Sequence, residues 1–195
     1  MNILVIKSSV FGDNGNSSTL VNEQVERLKA QHPGATVVVR DLSADPIPHL
    51  DGERVGAFFT PADQRTDDQQ AVEDFSQALI TELKDADQVV LGLPMYNFGI
   101  PSQLKSWIDH VARAGITFRY TENGPEGLLN DKPVTVVAAR GGLYAGTEND
   151  TVTPYIRLFF GFVGITDVSF VYAEGLNMGD ESKEKAMSEA RAALQ

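Results

Sequence analysis

At 195 residues, with 22% charged and 42% hydrophobic residues, the chain has the composition of one well-buried globular domain. A formal net charge of −11 excludes a phosphate backbone or an anionic membrane surface as partner, so no nucleic acid is expected. The absence of cysteine excludes disulfides, thiolate catalysis and iron–sulfur clusters, and fits a cytoplasmic protein.

The first apolar run, Ile3-Leu4-Val5-Ile6, has no basic residue ahead of it. It is too short for a signal segment or a bilayer span, so no membrane insertion is expected. With nothing polar alternating in it, the run predicts a strand covered on both faces. A loop rich in Ser, Gly and Asn follows from Ser8 to Ser18, then a helix with Val21, Val25 and Leu28 on one stripe. Thr36-Val37-Val38-Val39 completes a strand–helix–strand unit.

Asp41 to Arg65 holds three prolines and two glycines with no sustained period. It reads as a lid or a packed surface excursion, with a short apolar patch at Val55-Gly56-Ala57-Phe58-Phe59. Thr66-Asp67-Asp68-Gln69 is a capping-box pattern opening a helix with Val72, Phe75, Leu79 and Leu83 inward. The third strand, Gln88 to Leu93, runs into Pro94-Met95-Tyr96-Asn97-Phe98, and Pro101 opens a helix that buries Leu104, Trp107, Ile108 and Val111. Gly115 is the expected C-terminal cap of that helix.

A second excursion, Ile116 to Asp131, carries the turn signal Asn123-Gly124-Pro125. Val134 to Ala139 is the fourth strand, followed by Arg140-Gly141-Gly142. Thr153-Pro154 caps a helix apolar nearly all round, Val168 to Tyr172 is the fifth strand, and an amphipathic helix runs from about Glu181.

Five strands alternating with five helices predict an α/β fold: a flavodoxin-like, doubly wound parallel sheet of order 2-1-3-4-5 with helices on both faces, in a single domain over residues 1–195. Ligands bind at the carboxyl ends of such strands, near the switch point between the first and third. The Ser8–Ser18, Pro94–Phe98 and Arg140–Gly142 loops therefore converge on one crevice.

The first loop has the hydroxyls and glycines of a phosphate cradle, with a helix N-terminus behind it. The same residues are also ordinary turn material. Met95, Tyr96, Asn97 and Phe98 suit a flat heteroaromatic ring, which aromatics wall in and amides bond at its edge. Arg140-Gly141-Gly142 offers amides to the other side. His32, His49 and His110 lack metal-ligand spacing and read as surface or cap residues, so no metal is expected. No Gly-x-Ser-x-Gly elbow is present.

The whole chain resembles the FMN-dependent NADH-azoreductases, a family of dimeric flavodoxin-like NAD(P)H quinone reductases. The likeness lies in Lys7-Ser8-Ser9, Pro94-Met95-Tyr96-Asn97-Phe98 with Leu104-Lys105, Val111-Ala112-Arg113-Ala114-Gly115, the stretch from Thr117 to Gly127, Arg140-Gly141-Gly142, and Phe160 to Asp167. It implies that Ser9, Gly15, Asn16 and Ser17 hold the phosphate of one FMN per subunit. It implies that Pro94, Met95, Tyr96, Asn97, Phe98, Ala139, Arg140, Gly141 and Gly142 border the flavin ring. Phe59, Phe98, Tyr120 and Phe162 would shape the substrate pocket, Tyr120 and Phe162 reaching across a homodimer interface.

Gly15-Asn16 stands where the family often has a hydroxyl and a longer amide, and Ala139 where serine is common. The implied activity is ping-pong. NADH or NADPH delivers hydride and leaves, and a quinone or azo compound then takes two electrons in the same place. The alternatives are a non-catalytic flavodoxin-type electron carrier and a regulatory flavoprotein subunit. The Ile116–Leu129 excursion and the apolar helix, both suited to building an interface, count against a carrier.

Overall fold

Each buried apolar run becomes a strand of one parallel sheet in the computed structural model, which describes residues 1–194. The strands are β1 (Asn2–Lys7), β2 (Thr36–Asp41), β3 (Gln88–Pro94), β6 (Val134–Ala139) and β7 (Val168–Ala173), ordered β2-β1-β3-β6-β7. This is the predicted 2-1-3-4-5 order. Two further strands, β4 (Phe118–Thr121) and β5 (Gly124–Gly127), pair as a separate antiparallel hairpin. The helices are α1 (Asn16–Gln31), α2 (Gly52–Phe59), α3 (Asp67–Asp85), α4 (Ser102–Val111), α5 (Val152–Val163) and α6 (Asp180–Ala193).

Alternation within β1 divides the core. Leu4 and Ile6 join α3, α4 and α5 on one face, through Leu79, Trp107 and Phe160 among others. Ile3 and Val5 join α1 and α6 on the other, through Leu20, Val25 and Met187. The central strands β1, β3 and β6 are covered on both faces, which needs continuous apolar runs, whereas the edge strands β2 and β7 are partly exposed. The predicted capping box opens α3: Gln69 N–H donates to Thr66 Oγ1, and Thr66 N–H donates back to Gln69 Oε1.

The structure corrects four local expectations. The Asp41–Arg65 stretch contains α2, whose N-cap Asp51 accepts from Arg54 N–H at 2.9 Å. The Ile116–Asp131 excursion is the β4–β5 hairpin. Helix α4 ends at Val111 with Ala112 as its cap, because Gly115 is used in the next turn, where its N–H donates to the Phe118 carbonyl at 2.7 Å. Helix α5 takes Thr151 as N-cap, which puts Pro154 inside the first turn, where its missing N–H leaves no carbonyl unserved.

His110, expected at a surface or a cap, is fully buried on α4. Its ring lies edge-on to Phe58 of α2 and Phe75 of α3, and its Nδ1 donates to the Ser106 carbonyl at 2.9 Å. Burial pushes its pKa below the ordinary 6.5; Arg54 and Arg113 add to that, while the Ser106 bond and Asp109 oppose it. The unfolded chain therefore takes up this proton more readily than the folded one. Stability is complete above the unfolded value and declines as pH drops through the window beneath it. Urea midpoints of His110→Phe are expected to lose this slope between about pH 5 and 7. A slope unchanged in the variant would assign it to another group.

Candidate active site

Parallel register brings four strand ends level: Lys7 pairs with Gly92, Pro94 with Ala139, and Ala139 with Ala173. The loops leaving these ends surround two adjoining cavities that share Met95, Gly141 and Asn177. The first, of about 170 Å³, is lined by Ser9, Phe11, Gly15, Asn16 and Ser17 on one side. Pro94, Met95, Tyr96, Ala139, Arg140, Gly141, Leu176 and Asn177 complete it. The second, of about 430 Å³, adds Asn97, Phe98, Gly142 and Tyr144.

At the α1 end the backbone is arranged for an anion. Gly15 is the N-cap of α1 in extended conformation, and no side chain caps the helix. Ser17 and Ser18 have buried hydroxyls without a partner among the described residues. Orphaned hydroxyls beside a helix N-terminus are what a phosphate satisfies. Ser9 Oγ lies within 3.4 Å of Tyr96 Oη and accepts from Phe11 N–H at 3.2 Å, tying the first loop to the third strand's loop. Lys7, at the end of β1, is already used: its Nζ donates to Asp13 Oδ1 at 2.6 Å, and this bond, with that from Asn22, holds the Asp13 carboxyl below its usual range.

The other end is a strained turn. Tyr96 and Gly99 exchange both backbone hydrogen bonds at 3.0 Å, and the residues between them, Asn97 and Phe98, have φ of +50° and +60°. Asparagine tolerates this region, whereas for phenylalanine it costs about 1–2 kcal/mol. The strain is held from outside: Thr151 Oγ1 donates to the Phe98 carbonyl, and the Phe98 ring lies edge-on to Tyr144 at 5.5 Å. Phe98→Gly is expected to raise the urea midpoint, by up to about 1 kcal/mol in stability, because glycine adopts this φ freely. A lower midpoint would show that the Phe98–Tyr144 contact outweighs the strain.

Arg140 sits in the lining, but its guanidinium turns inward to the buried Asp150 and half-buried Glu174 carboxylates. The carbonyls of Gly141 and Gly142 accept from Asn177 and Gly175 N–H groups at 3.0 and 2.9 Å. Their own N–H groups make no bond to the chain among the described residues.

All the residues expected to border a phosphate and a ring thus line the paired cavities. The substrate residues divide. Phe98, 54% exposed, is at the second cavity, but Phe59, Tyr120 and Phe162 line neither cavity of the same chain. Phe59 was expected over the pocket. Helix α2 instead docks through Phe58 onto Arg113 and His110, leaving Phe59 in solvent. Tyr120 projects from the hairpin, and Phe162 packs on Phe118 with ring centroids 4.2 Å apart.

Sequence reasoning missed Phe11, Tyr144, Leu176 and Asn177. The signal for Leu176 and Asn177 was their place just after the fifth strand, the rule already applied to the other loops.

A family model described as flavodoxin-like fold matches residues 1–195. An FMN-dependent NADH:quinone oxidoreductase of Alcanivorax borkumensis is 79% identical over 194 residues, covering 100% of this chain and 98% of that protein. The chain belongs to the flavodoxin-like family of FMN-dependent NADH:quinone oxidoreductases. A member from Cellvibrio japonicus is 58% identical, over 97% of this chain and 94% of its own. Among solved structures, an FMN-dependent NADH-azoreductase from Bacillus anthracis in complex with FMN superimposes with a TM-score of 0.88 at 29% identity, over 99% of this chain and 97% of that one.

Proposed function

We propose that residues 1–195 form a single FMN-binding domain, and that two copies make a cytoplasmic oxidoreductase passing two electrons from NADH to quinones and azo compounds. The observation that carries this reading is the joined cavity, with an uncapped helix and the orphaned Ser17 hydroxyl at one end and an aromatic, amide-lined wall at the other. Those features fit FMN. Ser9, Gly15, Asn16 and Ser17 would hold its phosphate through neutral donors. Pro94, Met95, Tyr96, Asn97 and Phe98 would form one wall for its ring, and Ala139, Arg140, Gly141 and Gly142 the other.

Bound FMN supplies a ring that accepts hydride from a nicotinamide and reduces a quinone or azo acceptor. The chain's own part is placement. The Asn97 amide orients the ring edge, and the Gly141 and Gly142 N–H groups favour negative charge where they face it. Phe98 and Tyr144 keep water from the exposed face. No side chain is required to move a proton.

Support for a second subunit is an exposed apolar surface on α5 and the hairpin, where Leu158 is 72% and Tyr120 74% exposed. Across such an interface Tyr120 and Phe162 would reach the other copy's ring site. No described helix is long and apolar enough to cross a membrane.

Purified protein incubated with excess FMN should turn yellow and stay so after desalting. Anaerobic stopped-flow should then show bleaching by NADH, with NADPH as the comparison, and recovery with a quinone or azo dye. Protein that remains colourless defeats the reading.

A further inference from the structure

Arg140 is the largest charged side chain in the interior, 1% exposed at the edge of the ring cavity. A buried guanidinium is costly unless its donors are met, so its partners show what it is for. Nη1 donates to Glu174 Oε1 at 3.2 Å, while Nε is buried without a partner among the described residues. Nη2 donates to Asp150 Oδ1 at 2.8 Å and to Thr153 Oγ1 at 2.7 Å. Its face lies 5.0 Å from the Tyr172 ring centre.

Each partner in turn grips a wall of the cavity. Glu174 Oε1 also accepts the Tyr144 and Ala145 N–H groups, both at 2.8 Å, and so fixes the start of the loop that carries Tyr144. Asp150 Oδ1 accepts Thr153 N–H at 3.0 Å and fixes the loop's other end to the first turn of α5. From that turn Thr151 Oγ1 donates to the Phe98 carbonyl, inside the strained turn. One guanidinium therefore connects the loop after β6 with the turn after β3.

We propose that Arg140 is a positioning residue: through Glu174, Asp150 and Thr151 its buried guanidinium sets the spacing of the two walls that receive the flavin ring. This rests on the FMN reading above. Its Nη groups are committed to Glu174, Asp150 and Thr153, so they act on the ring site through those partners. Its hydrogen bonds lead to the walls carrying Tyr144 and Phe98 and not to the donors at the start of α1, and that separates its effect from a general loss of stability.

The test measures affinity for FMN and for riboflavin, which lacks the phosphate, by quenching of flavin fluorescence in wild type, Arg140→Met and Glu174→Gln. Amide hydrogen exchange at Tyr144 and Ala145 is followed in the same proteins without flavin. Both variants are expected to lose affinity for the two flavins by the same factor, about tenfold or more for Arg140→Met and less for Glu174→Gln. Exchange at Tyr144 and Ala145 should quicken while the β1 and β3 amides stay protected.

Unchanged affinities, or a loss confined to FMN, would overturn the proposal. If Arg140→Met does not fold, Glu174→Gln decides, since it keeps the shape and removes only the charge. Wild type that takes up neither flavin would defeat the oxidoreductase reading instead. Exchange at Tyr144 and Ala145 would then still decide the role of Arg140, unquickened amides refuting it.

Discussion

Gly15→Ala should lower FMN affinity by roughly 100-fold while leaving riboflavin binding nearly intact. A Cβ at this position would lie 2.2 Å from Ser9 Oγ and 2.7 Å from Ser9 Cβ. Rotating the hydroxyl away does not relieve the second contact, so the backbone of the Ser9 loop or of the helix cap must shift. Either movement pulls apart the donors gathered at the start of α1. Hydrogen bonds to a charged group contribute about 1.5–3 kcal/mol each, and losing two of them accounts for the factor. Lys7, at the end of β1, is committed to Asp13. Equal loss for FMN and riboflavin, or no loss at all, would place the phosphate elsewhere.

Arg113→Met should cost about 3 kcal/mol, with a fall in Tm on the order of 10 °C, the largest stability effect expected of a single polar substitution here. Arg113 is 6% exposed; its Nη2 donates to Glu73 Oε2 and its Nη1 to Ser76 Oγ, both at 2.7 Å, and its guanidinium lies 3.6 Å over the Phe58 ring. It thereby fastens α2 and α3 to the segment between α4 and the hairpin. Removing it strands the Glu73 carboxylate, which keeps only Arg65 at 3.7 Å. Adding Glu73→Gln to Arg113→Met should recover part of the loss, because the stranded charge is gone. A cost below about 1 kcal/mol, the range of exposed pairs, would refute this account.

How much could be read beforehand depended on whether a residue's partners lie close in sequence or follow a period. The three central strands were legible because burial on both faces writes itself as an unbroken apolar run, and Pro94 ends one of them abruptly; the edge strands β2 and β7 were marked by their β-branched and aromatic residues. Helix α2 was hidden by Gly52 and Gly56 inside it and prolines on both sides, with Asp51 its one local signal. The two hairpin strands are four residues each, too short to show alternation.

The crevice was legible because topology alone sends three distinctive loops to one edge. The use of Arg140 was not, since its carboxylate partners lie 10 and 34 residues away and no periodicity marks them. His110 was misread for a related reason: its burial is set by Phe58 and Phe75, which arrive from other helices.

The hairpin meets the end of α5 through two glycines facing each other. A Cβ on Gly127 would fall 2.1 Å from the Gly164 nitrogen, and one on Gly164 would fall 2.7 Å from the Leu129 carbonyl oxygen. Nothing flexible lies between these main chains, and Leu129 N–H donates to the Val163 carbonyl at 2.9 Å to close the joint. Tyr120 on the hairpin and Phe162 on the helix are consequently parts of one stiff piece, with Phe118 between them. The two aromatic side chains are therefore held at a fixed spacing by the main-chain joint, and a lineage that keeps both glycines keeps that spacing whichever side chains stand at the two positions.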